Sequence, residues 1–234
     1  MTTFRRLGAL VIGMMAITTA TNAQDKVEAS VSADLVSKYV WRGQDLGAAA
    51  IQPSAGVSYK GLSLSAWGSY GLVNSGEEEL DLTLSYSVGG LNIGVTDYFC
   101  GADAKYFEYS AHKTAHVFEA NIGYDFGPVS LQWFTNFAGA DGVNKDGDRA
   151  YSSYVELNAP FKLGGLDWDA TVGAVPFETS FYADATGFAV TNISLKASKE
   201  LKVTPTFTVP VFAAINTNPS TQKAYFTFGI TLQP

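Results

Sequence analysis

Residues 224–232 carry a two-sided order that few folds can use. Read as a strand, they place Phe226, Phe228, Ile230 and Leu232 on one face and Tyr225, Thr227, Gly229 and Thr231 on the other, because successive side chains alternate across an extended chain. The first face is large and apolar. The second is small and hydroxylated, without the Lys and Glu of a water-facing surface. The pattern recurs along the chain. Leu80, Leu82, Leu84, Tyr86 and Val88 oppose Asp81, Thr83, Ser85 and Ser87. Phe118, Ala120, Ile122, Tyr124 and Phe126 oppose Glu119, Asn121, Gly123 and Asp125. Leu166, Trp168, Ala170, Val172 and Ala174 oppose Asp167, Asp169, Thr171 and Gly173. Lipid outside and a polar lumen inside would satisfy both faces, which predicts an all-β, antiparallel up-and-down transmembrane barrel. The closing strand would then pair with the first, 27–35, and remove the last free edge.

Charge and compartment agree with that reading. Only 16% of residues are charged, where soluble domains carry about 25%. Residues 1–23 read as a cleaved secretion signal, with Arg5 and Arg6, an apolar run from 7 to 20, and small residues before Gln24. That run is short for a spanning helix. Without the two signal arginines, 13 of the 15 basic residues remain against 22 acidic, a net charge of −9. That balance disfavours a nucleic-acid partner, which needs a basic stripe. Cys100 is the only cysteine, so no internal disulfide forms.

Turn chemistry sets the strand count. Short connections are expected at Lys60-Gly61, Gly89-Gly90, Gly127-Pro128, 162–165 and 198–201, alternating strictly with six longer ones, at 43–48, 71–78, 99–114, 138–149, 176–185 and 213–223. About twelve strands result, the first running from 27 towards Arg42 with a bulge near Val36-Ser37. Pro53 lacks a donor and argues against regular pairing at its position. Short turns face the periplasm in bacterial outer-membrane barrels, which places both termini there.

The front of the chain runs through Ala33-Asp34, Tyr39-Val40-Trp41-Arg42-Gly43, Ile51-Gln52-Pro53-Ser54-Ala55-Gly56 and Ser65-Ala66-Trp67-Gly68-Ser69. In these segments it resembles a family of small outer-membrane porins called TorF-like, first known as a domain of unknown function. The likeness implies an outer-membrane barrel and a porin, with no defined substrate. Lys38 and Pro53 depart from the pattern, and the chain ends Leu232-Gln233-Pro234 without the terminal aromatic that assembly machinery reads in many such barrels.

Local chemistry points away from catalysis. His112 and His116 stand four apart, but in a loop entering a strand, where that spacing does not converge on a metal. Ser110 beside His112 is the nearest thing to a lipase pair. Asp141, Asn144, Asp146 and Asp148 are oxygen-rich but lack the bidentate Glu of a calcium loop. No cofactor is implied. The informative set is the inward face, where Asp81, Glu119, Asp125, Glu156, Asp167 and Asp169 oppose Lys196 and Arg42. Of these, Arg42, Asp81, Glu119, Glu156, Asp169 and Lys196 are the candidate pore-lining residues, while Asp125 and Asp167 sit beside short turns. Such a set either lines an aqueous path that favours cations or satisfies itself in a lumen too narrow to conduct. The chain is therefore expected to be an outer-membrane porin for small hydrophilic solutes, partnered by lipid and the barrel-assembly machinery. The alternatives are a plugged barrel that binds through its outer loops, a membrane hydrolase and a soluble sandwich.

Overall fold

The structure, a computed structural model, describes residues 26–73, 78–101, 103–110, 113–183, 185–205 and 207–234. The leader expected over 1–23 and His112 lie outside the described residues. The strands in chain order are β1 (Glu28–Val36), β2 (Tyr39–Trp41), β3 (Gln44–Gly47), β4 (Ala50–Tyr59), β5 (Leu62–Gly71), β6 (Glu79–Val88), β7 (Leu91–Cys100), β8 (His116–Asp125), β9 (Ser130–Gly139), β10 (Ser153–Leu163), β11 (Leu166–Val175), β12 (Ala189–Thr204), β13 (Phe207–Asn218) and β14 (Lys223–Leu232). Twelve of them, β1 and β4 through β14, form one closed antiparallel barrel in which β14 returns to β1. The remaining two, β2 and β3, pair only with each other.

The side-chain alternation fixes which face of each strand points out. Leu64, Leu84, Ile122, Phe226 and Phe228 are all more than half exposed, while Asp81, Glu119, Glu156 and Thr227, in the opposite phase, are buried. A soluble barrel would bury that apolar set. Ten residues at about 3.3 Å each, tilted about 40°, span roughly the 25 Å of a hydrocarbon band. The outward aromatics gather at both rims: Tyr59, Tyr86, Tyr124 and Phe126 by the short turns, Tyr70, Phe137, Tyr151 and Phe177 by the long loops. Such girdles mark the two interfaces of a transmembrane barrel. At the short-turn end, Lys60-Gly61, Gly89-Gly90 and Gly164-Gly165 each hold two successive residues at positive φ. That is the type I′ geometry matching strand twist.

Three expectations about segment ends are corrected. Residues 27–42 are not one strand with a bulge. β1 stops at Val36, and the chain leaves the wall at Ser37, whose N–H donates to the Phe228 carbonyl at 2.8 Å and whose hydroxyl accepts from Phe228 N–H at 2.9 Å. Residues 198–201, expected as a short connection, belong to β12, a 16-residue strand that continues to Thr204. The expected loop over 213–223 is mostly β13, leaving only residues 219–222 between β13 and β14. Lys199, Glu200 and Lys202 are exposed, so charge there reports strand beyond the apolar band rather than a turn. At Pro53 the ladder to β1 continues through Ala33, but the ladder to β5 is interrupted over Gln52 and Pro53. A residue without a donor produces that gap.

Candidate functional site

The hairpin β2–β3 turns inward and crosses the lumen. Its tip, Arg42-Gly43, has φ of +48° and +80°, again a two-residue turn with Trp41 paired to Gln44. Tyr39 packs on Trp67 at 5.5 Å between ring centres, and its hydroxyl donates to Glu79 at 2.9 Å. On the other side Asn218 Nδ2 donates to the Gly43 carbonyl at 3.2 Å. The hairpin thus reaches from β5 and β6 across to β13 near the long-loop rim.

Arg42 is the centre of this seal. Its Nη1 lies 2.5 Å from Glu119 Oε2 and Nη2 lies 3.0 Å from Oε1, a bidentate pair. Nη1 also donates to the Tyr182 hydroxyl at 2.5 Å. Glu119 accepts further from Tyr98 at 2.8 Å and Tyr182 at 2.9 Å. The guanidinium sits over Phe134 at 4.0 Å, Trp41 at 4.4 Å and Tyr154 at 4.7 Å. Both charges are almost fully buried. Without those partners the desolvation cost would exceed the pair's attraction. Tyr182 comes from the 176–188 connection, where it is fully buried and packs with Phe181 against Trp41.

Gly43 is required at the tip for two reasons. Its φ is in the left-handed region, and a Cβ there would lie 1.9 Å from the Thr191 carbonyl oxygen. Gly43→Ala is expected to unseat the hairpin while leaving the wall and every charge unchanged. Limited proteolysis checks it, with new cleavage between 37 and 49 expected and the barrel core left intact.

Below the hairpin, towards the short turns, lies a cavity of about 60 Å³ lined by Arg42, Glu156, Asp169, Asn192, Ser194 and Lys196 among others. Cross-strand register builds it. Glu156, Gly173 and Asn192 are successive partners on β10, β11 and β12, and Asp169 stands opposite Lys196. Gly173 leaves room for the Tyr154 hydroxyl, which would lie 1.8 Å from a Cβ there. That hydroxyl donates to Glu156 Oε2 at 2.7 Å and accepts from Asn192 Nδ2 at 3.2 Å. Asp169 is held by Asn158 and by the Thr171 hydroxyl at 3.3 Å. Lys196 lies in the field of Asp34 and Asp169, its ammonium 4.3 Å from the Phe212 ring centre.

The six candidate residues therefore divide. Arg42 and Glu119 pair with each other across the lumen, Glu156, Asp169 and Lys196 line the cavity with Arg42 above, and Asp81 is buried on β6 near Glu79. Asp125 accepts the Gly127 N–H at 2.7 Å, and Asp167 pairs with Lys162, so both serve the short turns. Asp34 has the inward phase on β1 and could have been found from it. Tyr182 sits in a loop and left no periodic signal.

The other motifs are spent locally. His116 faces outward under the 101–115 connection, with Nδ1 2.7 Å from Asp97 and Nε2 2.7 Å from the Tyr106 carbonyl, stacked on Tyr109 at 4.4 Å. Ser110 donates its hydroxyl and N–H to Glu108, which holds that carboxyl below its usual range. Asp141 accepts from Asn136, Gly142 and Ser152, and Asn144 from the N–H of Asp146 and Asp148. Among the described residues no three His, Cys, Asp or Glu side chains gather as metal ligands.

No family model matches the sequence, and no curated protein matches it. Among solved structures, the chain is similar to the NanC porin at a TM-score of 0.47 and 10% identity, over 88% of this chain and 98% of that one. It is similar to Salmonella typhi OmpF, in a complex with daunomycin, at 0.39 and 11%, over 90% and 98%.

Proposed function

We propose that the protein is an outer-membrane channel that passes small hydrophilic solutes passively and prefers cations weakly. The observation that carries this is the chemistry of the unpaired lumen atoms. Among the described residues, every buried side-chain polar atom without a partner is an oxygen: on Asp34, Gln52, Asp81, Gln132, Asn136, Glu156, Thr191 and Asn192. All but the Thr191 hydroxyl are acceptor-only. Such a lumen calls for water and cations and offers nothing comparable to an anion. The inward carboxylates Asp34, Glu79, Asp81, Glu119, Glu156 and Asp169 also outnumber Arg42 and Lys196. Residues 1–23 would direct secretion, the short turns would face the periplasm, and lipid and the barrel-assembly machinery would be its partners. The TorF-like likeness of the front segment supports the same reading, and no catalysis is part of it.

A plugged barrel acting through its outer loops is the second reading, favoured by the aromatic seal around Arg42. Planar-bilayer recording in a KCl gradient separates the two. Discrete steps are expected, with a reversal potential displaced towards the potassium equilibrium potential. Glu156→Gln with Asp169→Asn should halve that displacement or more. Absence of steps overturns the channel, and an unchanged potential overturns the selectivity. Glu119 is a poor lever here, since Arg42 already neutralises it.

A further inference from the structure

We infer that the cavity beneath the hairpin is a discrete binding site for one small monovalent cation, held by Glu156 and Asn192. This deepens the cation preference proposed above and rests on the same reading of an acceptor-rich lumen. Glu156 is 3% exposed and Asn192 7% exposed, yet Glu156 Oε1 and Asn192 Oδ1 have no partner, and both residues line the same cavity. A buried carboxylate oxygen without a protein donor takes a water, a proton or a cation, and the surplus of carboxylates here favours the cation.

The surrounding charges say which cation fits. Arg42 is answered by Glu119. Lys196 lies between the fields of Asp34 and Asp169. Counted together, those four carboxylates with Glu156 included face two cationic side chains, which leaves two negative charges for a ligand. Of the two carboxylates lining the cavity, Asp169 is already held by Asn158 and Thr171, so the donor set left is one carboxylate with amide and hydroxyl oxygens, not the several carboxylates a tightly held divalent ion takes. Weak, exchangeable binding of an alkali-sized ion follows, the kind that lets an ion enter and leave again.

Trp41 lines the same cavity, so its fluorescence reports occupancy whether or not the barrel conducts. The probe is thallium(I), a potassium-sized ion that quenches indole, titrated into the folded protein in detergent micelles. Wild type should show a saturable component that excess potassium displaces and that Trp41→Phe removes. Glu156→Gln should weaken it at least tenfold, and Asn192→Ala, which keeps every charge, should weaken it about threefold. Equal saturable quenching in wild type and Glu156→Gln, or no saturable component in wild type, overturns the site; the first outcome means that Glu156 carries a proton instead. A saturable component that survives Trp41→Phe also overturns it, by placing the ion elsewhere. Cation-selective steps in bilayers without saturable quenching would remove this site and leave the channel standing. Saturable quenching without steps would do the reverse.

Discussion

Glu119→Ala is expected to open the lumen without dissolving the barrel. The substitution leaves the Arg42 guanidinium buried beneath Trp41, Phe134 and Tyr154 with its bidentate partner gone. Breaking a buried pair from one side costs about 3–5 kcal/mol, roughly a hundred- to several-thousand-fold in the population of the unseated hairpin. The cost falls on the hairpin because β2 and β3 share no ladder with the wall. Local opening is therefore the cheaper escape. Cleavage within residues 37–49 by added protease should rise steeply, unit conductance should rise severalfold, and the global melting temperature should move by only a few degrees. Arg42→Ala with Glu119→Ala removes both charges, so closure should recover in part through Tyr39, Trp41 and the Gly43 carbonyl. A double variant as open as Glu119→Ala alone would show that the buried charge is not what strains the seat.

The barrel was legible in the sequence because its determinant is periodic. A face of Leu84, Ile122 or Phe228 repeats every second residue, and no other architecture leaves that face exposed. The inward phase of Asp81, Glu119 and Glu156 followed from the same rule. The seal was not legible, because it is made where periodicity ends. Tyr39, Trp41 and Arg42 look like the top of β1 until Ser37 binds Phe228 and turns the chain inward. Tyr182 arrives from a connection with no strand pattern, and only its packing on Trp41 and its bond to Glu119 give it a place. The β12–β13 hairpin misled for a related reason. Beyond the apolar band a strand no longer needs apolar outward residues, so the alternation that marks a strand is lost at Lys199 and Glu200 although β12 continues.

The largest loss of folded protein should come from a single methyl group at the seam. Only four residue pairs, Ala33 to Val36 against Leu232 to Gly229, join β1 to β14, because β14 ends halfway down β1. Residues 28–32 are paired on the β4 side alone. Gly229, paired with Val36, is one of the four. A Cβ there would lie 2.6 Å from the Leu35 carbonyl oxygen and 2.6 Å from the Phe212 ring. The ring could rotate away, but the carbonyl belongs to the ladder itself. Overpacking costs about 1–3 kcal/mol in a core that can relax, and here relaxation means parting the strands that close the barrel. An unclosed edge has no substitute partner in hydrocarbon. Gly229→Ala is therefore expected to reduce the yield of refolded, heat-modifiable barrel at least tenfold, read on unboiled gels. Adding Phe212→Ala should restore little, since the carbonyl contact remains. Gly187→Ala, where no atom lies within 4 Å of the new Cβ, should refold as wild type. Full yield from Gly229→Ala would mean that closure does not depend on this short seam. Recovery on adding Phe212→Ala would move the obstruction from the backbone to the ring.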